Sequence, residues 1–362
     1  MPGQSPTVYV HIGLAKTGTT YLQGLMWGNR RRLDGAGVRL PGQRRKQHLA
    51  ASSSLCEQSF DQDLATTGPA AWDALADEAR RAPARVVISH ETLSRATAEQ
   101  AKHALASLEP AEVHLIVTMR DLARQVPALW QERLKNRSKI PYSRFLKRIA
   151  RGPDPFWRGQ DVLDVLARWG GVPAERVHVV TVPRPGAPRG LLWTRFASVV
   201  GVDPAIATRE PKRANESLSV AEAELLRRLN PALRKGTHDR GTYFRVVKRH
   251  LAPNVLAGMA PQPRITVPEE HRDWMRDRAR LMIDGLASGG FDVVGDLADL
   301  EPDFGDAEFV SPESLSAEQL MELAAQCVTA VLVQNNRLRA SGRDKSPARR
   351  LAKVRSEAVE ER

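Results

Sequence analysis

Cysteine is almost missing: Cys56 and Cys327 are the only two in 362 residues, and they lie far apart. That excludes a disulfide framework or a cysteine zinc site and leaves a chance pairing as the only bridge to consider. Long apolar runs are also missing, so no membrane span is expected. The opening Met-Pro-Gly-Gln-Ser-Pro-Thr has no basic and then apolar layout. It therefore does not read as a signal peptide, and a cytoplasmic location is the expectation. No repeat at fixed period is present, which argues against a solenoid or propeller. No cluster of metal-ligating residues stands out, so no metal is expected.

What is present is an ordinary globular balance, 42% hydrophobic and 27% charged, with net charge +12. Such a charge favours polyanionic partners: nucleic acid, an anionic membrane face or a highly phosphorylated small molecule. Much of it sits in local runs, Arg30-Arg31-Arg32, Arg44-Arg45-Lys46 and the tail from Arg337 to Arg355. Runs of this kind are ordinarily solvated, so nucleic-acid binding is not expected from charge alone.

Apolar, β-branched runs at residues 8–12, 85–89, 113–119 and 177–182 read as buried strands, with a short extended piece at 38–40. Helical spacing fills the intervals at 20–33, 71–82, 97–106, 122–135, 141–168 and 191–200, with Pro127 expected to bend or delay its helix. Residues 43–70 read as a loop-and-helix excursion carrying His48, either a solvated surface histidine or a substrate contact. Strands alternating with helices imply an α/β fold, a parallel β-sheet flanked by helices. From Pro204 the pattern is almost wholly helical, with helices at 219–229, 243–256 and 269–286. A last one, opened by a capping box at Ser316–Gln319, runs to about Leu338. Its face of Leu320, Leu323, Cys327, Ala330, Val331 and Gln334 is expected to pack on the chain's own body, a homodimer contact being the alternative. The domain reading is 1–205 as the α/β core, 206–340 as a helical part packed on it, and 341–362 as a charged tail of low ordering tendency.

The informative stretch is Val8–Thr20. An apolar strand passes into a loop holding Gly13, Lys16 and Gly18, and the loop opens into a helix. Glycines let backbone N–H groups turn inward, the helix start adds a positive dipole end, and lysine brings a mobile charge, which together suit a phosphate. The spacing is not that of a Walker A motif, because the lysine precedes the second glycine.

Lys16-Thr17-Gly18-Thr19-Thr20 resembles the phosphosulfate-binding loop of the bacterial sulfotransferase family, whose sulfuryl donor is 3′-phosphoadenosine 5′-phosphosulfate (PAPS). The family's usual proline before the lysine is Ala15 here. A second motif is similar too: the strand ending Val117-Thr118-Met119-Arg120-Asp121, followed by a helix. The resemblance implies a P-loop-NTPase-like architecture and gives Arg120 the donor's 3′-phosphate. A serine eight positions later shares that task in the family. Here that position is Ala128, so Arg124, Gln125 or a residue elsewhere must replace it. Arg213, in Arg213–Ser219, resembles a further family feature near the cofactor. Ala15–Thr20 would then hold the 5′-phosphosulfate, with Lys16 stabilising the leaving group.

The acceptor hydroxyl or amine needs a base. His11, His90 and Glu91 all stand near strand ends. His11 reads equally well as a core histidine, while His90 titrates near neutrality unaided and Glu91 needs its pKa raised. Glu91 is favoured, with His90 next. Two other readings stay open: a P-loop kinase-like phosphotransferase, and a non-enzymatic polyanion-binding protein.

Overall fold

A computed structural model describes residues 5–57, 70–82, 85–211, 217–237, 239–257 and 263–340. The chain begins with β1 (Thr7–His11), whose loop 12–18 leads into α1 (Thr19–Gly28). There follow α2 (Arg30–Gly35), β2 (Val38–Arg39), α3 (Arg45–Leu55), α4 (Ala70–Arg80), β3 (Arg85–Ser89), α5 (Ala98–Leu108), β4 (Glu112–Met119) and α6 (Leu122–Lys135). Then come α7 (Tyr142–Ala150), α8 (Val162–Arg168), β5 (Val177–Thr181), α9 (Leu191–Val199), α10 (Val220–Thr237) and α11 (Arg240–Tyr243), the last passing directly into a π-helical stretch, Phe244–Leu256. The order closes with α12 (Arg272–Ser288), β6 (Asp292–Val294) and α13 (Ala317–Ala340).

The strands form one all-parallel sheet in the order β2-β3-β1-β4-β5-β6. Parallel strands covered on both faces must be apolar on both, which is why β1 and β4 read as near-continuous hydrophobic runs. Val8, Val10 and Ile12 pack with Val126 and Trp130 of α6 on one side. Tyr9 and Ile116 pack on the other with Leu22 and Leu25 of α1 and Phe196 of α9. The mostly helical second half follows the expectation from sequence, and no helix among the described residues is long and apolar enough to cross a membrane.

The strand order fixes where a ligand can sit. After β1 the chain moves outward to β2 and β3, whereas after β4 it moves the opposite way to β5. The two connections diverge beyond the carboxyl ends of adjacent strands and leave a crevice there, the topological switch point of an open α/β sheet. His11 pairs with Ile116 at this end. Loop 12–18 and Arg120 both enter the crevice by their position in the chain.

Three local expectations are corrected. Pro127 does not delay its helix: α6 starts at Leu122, where Asp121 accepts a hydrogen bond from Arg124 N–H at 2.9 Å, and runs on through Pro127. A sixth strand, β6, lies in the half read as helical, since a three-residue edge strand is too short to show alternation. The helix read as 219–229 continues to Thr237 through Pro231. The Ser316 capping box forms, with Gln319 N–H donating to Ser316 Oγ at 3.2 Å and Ser316 N–H to Gln319 Oε1 at 2.9 Å. Leu320, Leu323 and Cys327 of α13 are packed into the body, while Met321, Val328 and Leu332 face outward. Cys56 and Cys327 are both buried and free, so the chance pairing does not occur. Arg213 and the tail 341–362 lie outside the described residues.

Candidate anion-binding site

Loop 12–18 stays tied to β4 as it leaves the sheet: Ile12 N–H donates to Ile116 O at 3.0 Å and Leu14 N–H to Thr118 O at 3.3 Å. It then turns through three positive φ angles, 39° at Gly13, 68° at Lys16 and 87° at Gly18. Left-handed positions spaced through so short a loop let its remaining backbone N–H groups turn away from the sheet, which suits an anion. A Cβ on Gly13 would stand 2.8 Å from Thr19 Oγ1 and 3.3 Å from His11 Nε2, and one on Gly18 would strike Leu192. Glycine is required at both places. Gly18→Ala is expected to cost about 1–3 kcal/mol in chemical denaturation, from the left-handed backbone and the contact together.

Lys16 is held by Glu132, which also pairs with Lys248 at 2.8 Å. Burial pushes the Glu132 carboxyl up, but the two ammonium groups outweigh it and hold the group well below the ordinary carboxylate range. Glu132 is therefore an anion at neutral pH and a poor base. Its position, one turn beyond Ala128 on α6, was not picked out from sequence, because its partner Lys16 lies 116 residues away.

Arg120 reaches the same loop, its Nη1 lying 3.5 Å from Lys16 O. Burial pulls its pKa down to about 10, and repulsion from Arg124 and Arg264 adds to this against the attraction of Asp121. Asp121 is already occupied by the Arg124 guanidinium and by its backbone N–H. The Arg120 charge thus lacks a full counterpart. Arg120 Nε, Arg124 Nη2 and Thr19 Oγ1 are buried without hydrogen-bond partners among the described residues. Buried donors of this kind call for an acceptor, and an oxyanion with several oxygens can serve more than one of them. Gln125 is excluded as the replacement donor for Ala128, since its amide nitrogen is spent on Ala15 O at 2.9 Å and Gln160 Oε1 at 3.0 Å. Arg124, by contrast, keeps Nη2 without a partner among the described residues. Thr17 is buried and its hydroxyl points inward to Leu14 O, while Thr20 is exposed on the first turn of α1.

The three base candidates separate. His11 is a fully buried strand residue, its Nδ1 at 2.8 Å from Ser89 Oγ and its Nε2 at 3.2 Å from Thr118 Oγ1. Its ring nitrogens are both occupied, which is the core-histidine reading. His90 continues from β3, its backbone N–H bonded to His11 O at 3.2 Å, and its Nδ1 accepts from Thr92 N–H at 3.2 Å. Burial lowers its pKa, against the pull of Glu91. Glu91 keeps a buried Oε2 with no partner among the described residues, which leaves it open to accept a proton from a ligand. His48 is neither of the two things expected of it. It is buried, its Nε2 donates to Pro41 O at 2.9 Å, and its Nδ1 accepts from Ser89 N–H at 3.1 Å, which ties α3 to β3.

Burial lowers the pKa of both His11 and His48 to about 4. The unfolded chain binds these protons near pH 6.5 and the folded chain does not, so each histidine makes folding less favourable as pH falls from 6.5 to 4. The loss is on the order of 3 kcal/mol per histidine once below pH 4. Thermal unfolding followed from pH 7 to pH 4 is expected to show a steep drop in Tm across that window. His11→Gln/His48→Gln should flatten it.

No protein-family model, curated protein or solved structure matches this chain, so its function rests on the chemistry of the switch-point crevice.

Proposed function

We propose that the chain is a PAPS-dependent sulfotransferase that moves a sulfuryl group to a hydroxyl or amine acceptor by in-line displacement. The observation that carries this reading is the set of orphaned donors, Arg120 Nε, Arg124 Nη2 and Thr19 Oγ1, beside a loop with three left-handed residues at a switch point. One phosphate would occupy the loop alone. A guanidinium pair, Arg120 just past the adjacent strand and Arg124 in the first turn of α6, suits a second, and a nucleotide phosphorylated at both 5′ and 3′ positions supplies both.

The residues present fit such a donor. The backbone N–H groups of Thr17, Gly18 and Thr19, with the Thr19 and Thr20 hydroxyls, would hold the 5′ end, and Arg120 with Arg124 the 3′-phosphate. When bound, the donor supplies a sulfuryl group on a phosphate leaving group. Negative charge grows on the bridging oxygen as that bond breaks, and a cation placed there lowers the barrier. Lys16 fills this role, leaving Glu132 for the departing oxygen. Glu132 stays neutralised by Lys248, so the move does not strand a bare carboxylate. Glu91 Oε2 takes the acceptor's proton, with His90 beside it as the other candidate.

Calorimetry with 3′-phosphoadenosine 5′-phosphate (PAP) against ADP tests the reading. Clear preference for PAP without added metal is expected. Equal affinity or no binding sinks it, and preference for ADP with Mg²⁺ transfers the site to a kinase-like phosphotransferase. A polyanion-binding protein would instead bind DNA in a salt-dependent way that survives Lys16→Ala.

A further inference from the structure

Beneath the loop runs a chain of buried polar groups that crosses three strands, and the hydrogen-bond inventory fixes its direction. Thr17 Oγ1 lies 2.5 Å from Leu14 O, and a carbonyl only accepts, so the single Thr17 hydroxyl proton is committed there. Thr118 Oγ1, 2.7 Å from Thr17 Oγ1, must then be the donor of that pair. With its own proton spent, Thr118 can only accept from His11 Nε2 at 3.2 Å, which therefore carries hydrogen. At the far end Arg45 Nε donates to Gln23 Oε1 at 2.9 Å, which orients the amide so that Gln23 Nε2 donates to Ser89 Oγ at 3.2 Å and Ser89 O at 2.9 Å. Ser89 passes its hydroxyl proton to His11 Nδ1 at 2.8 Å. Every bond points the same way, from the Arg45 guanidinium to the loop carbonyl.

His11 is the only member that crosses from β3 to β4, and the chain passes directly under the cradle. A Cβ on Gly13 would be 3.3 Å from His11 Nε2 and 3.7 Å from Thr118 Oγ1. The ring is wedged against Phe196, with centroids 5.2 Å apart and planes at 65°, so it cannot rotate away from these partners without disturbing the core.

We infer that His11 is a positioning residue. As the neutral Nε2–H tautomer, it transmits the fixed polarity of Arg45, Gln23 and Ser89 through Thr118 and Thr17 and thereby sets the shape of the anion loop. The sulfotransferase reading is the basis for its effect on nucleotide, though not for the tautomer. The chain joins the two halves of the crevice, because Arg45 also lies within electrostatic reach of Glu91. Aligned donors bring the positive ends of their dipoles toward the loop, where the ligand is negative.

The test has two parts. Long-range ¹⁵N–¹H spectra of the histidine rings at neutral pH should show His11 with Nε2 protonated and Nδ1 bare; the opposite tautomer overturns the inference. Thr118→Val, which keeps the shape of the side chain and removes the relay hydroxyl, should weaken PAP binding roughly tenfold. His11→Phe should do the same, and the two together should lose little more than either alone. His11→Gln, which keeps one donor and one acceptor, should restore much of the affinity. Unchanged PAP affinity in folded Thr118→Val, or additive losses in the pair, overturns the positioning role. If the wild-type chain binds no PAP, the sulfotransferase reading and this coupling to nucleotide fall together, while the tautomer result still stands or falls by the spectra.

Discussion

Lys16→Ala is expected to lower PAPS consumption, measured over a panel of phenolic and sugar hydroxyl acceptors, by roughly 10²–10³-fold while leaving PAP affinity within about one order of magnitude. The split follows from where Lys16 stands. In the free protein its ammonium is paired with Glu132, so its contact with a ligand phosphate replaces one ion pair by another and contributes modestly to ground-state binding. In the transition state the departing oxygen gains charge that the ground state lacks, and only then does the lysine interaction exceed what it gives up. Lys16→Arg should not restore the rate, because a broad planar guanidinium cannot place a compact charge at the same point. Loss of PAP binding and of rate in equal measure would show instead that Lys16 is a binding residue only. Glu132→Gln separates the two roles further: it weakens the hold on Lys16, and PAP affinity is expected to rise modestly while the protein becomes less stable, since Lys16 and Lys248 then face each other without a carboxylate between them.

Arg120→Ala is expected to weaken PAP binding by about 1.5–3 kcal/mol, roughly tenfold to a hundredfold, and to leave AMP binding nearly unchanged. AMP lacks the 3′-phosphate, so the difference isolates the group that Arg120 is placed to hold. The magnitude comes from the state of the guanidinium. It is half-buried, lowered in pKa by that burial, and its buried Nε has no partner among the described residues, so part of its water is already gone and a charged partner gains correspondingly. Arg120→Lys should fall between, keeping a charge and losing the fork. Arg124→Ala should show the same selectivity for PAP with a smaller effect, because two of its nitrogens serve Asp121 and Pro183 O, the latter at 3.1 Å. Uniform loss of PAP and AMP in Arg120→Ala would mean that the residue only supports the loop through Lys16 O.

The loop geometry of the candidate site was legible in sequence because its main parts are local. A strand, a glycine-bearing loop and a helix start are consecutive in Val8–Thr20, and Arg120 follows its strand directly. Alternating strands and helices gave the α/β class, since a parallel sheet with both faces covered imposes apolar runs. What could not be read were the long-range partners. Glu132 lies on α6 and Lys248 on the π-helical stretch, and the ion pairs of Glu132 with Lys16 and with Lys248 form only once these elements pack together. His48 stands in a serine-rich stretch that looked solvated, and its burial depends on Pro41 and Ser89 closing over it. His11 reads from sequence equally as a base or a core residue, and only Ser89 and Thr118 on its two nitrogens decide between them. β6 is three residues long and takes its conformation from the edge of β5.

The central claim is that one crevice holds a nucleotide by both of its phosphates, and a crystal structure of the chain with PAP tests it most directly. The 5′-phosphate is expected within hydrogen-bond distance of the Thr17, Gly18 and Thr19 N–H groups with Lys16 turned away from Glu132, and the 3′-phosphate on Arg120 and Arg124. A nucleotide seated elsewhere, or one whose 3′-phosphate points to solvent while Arg120 stays unpartnered, would contradict it.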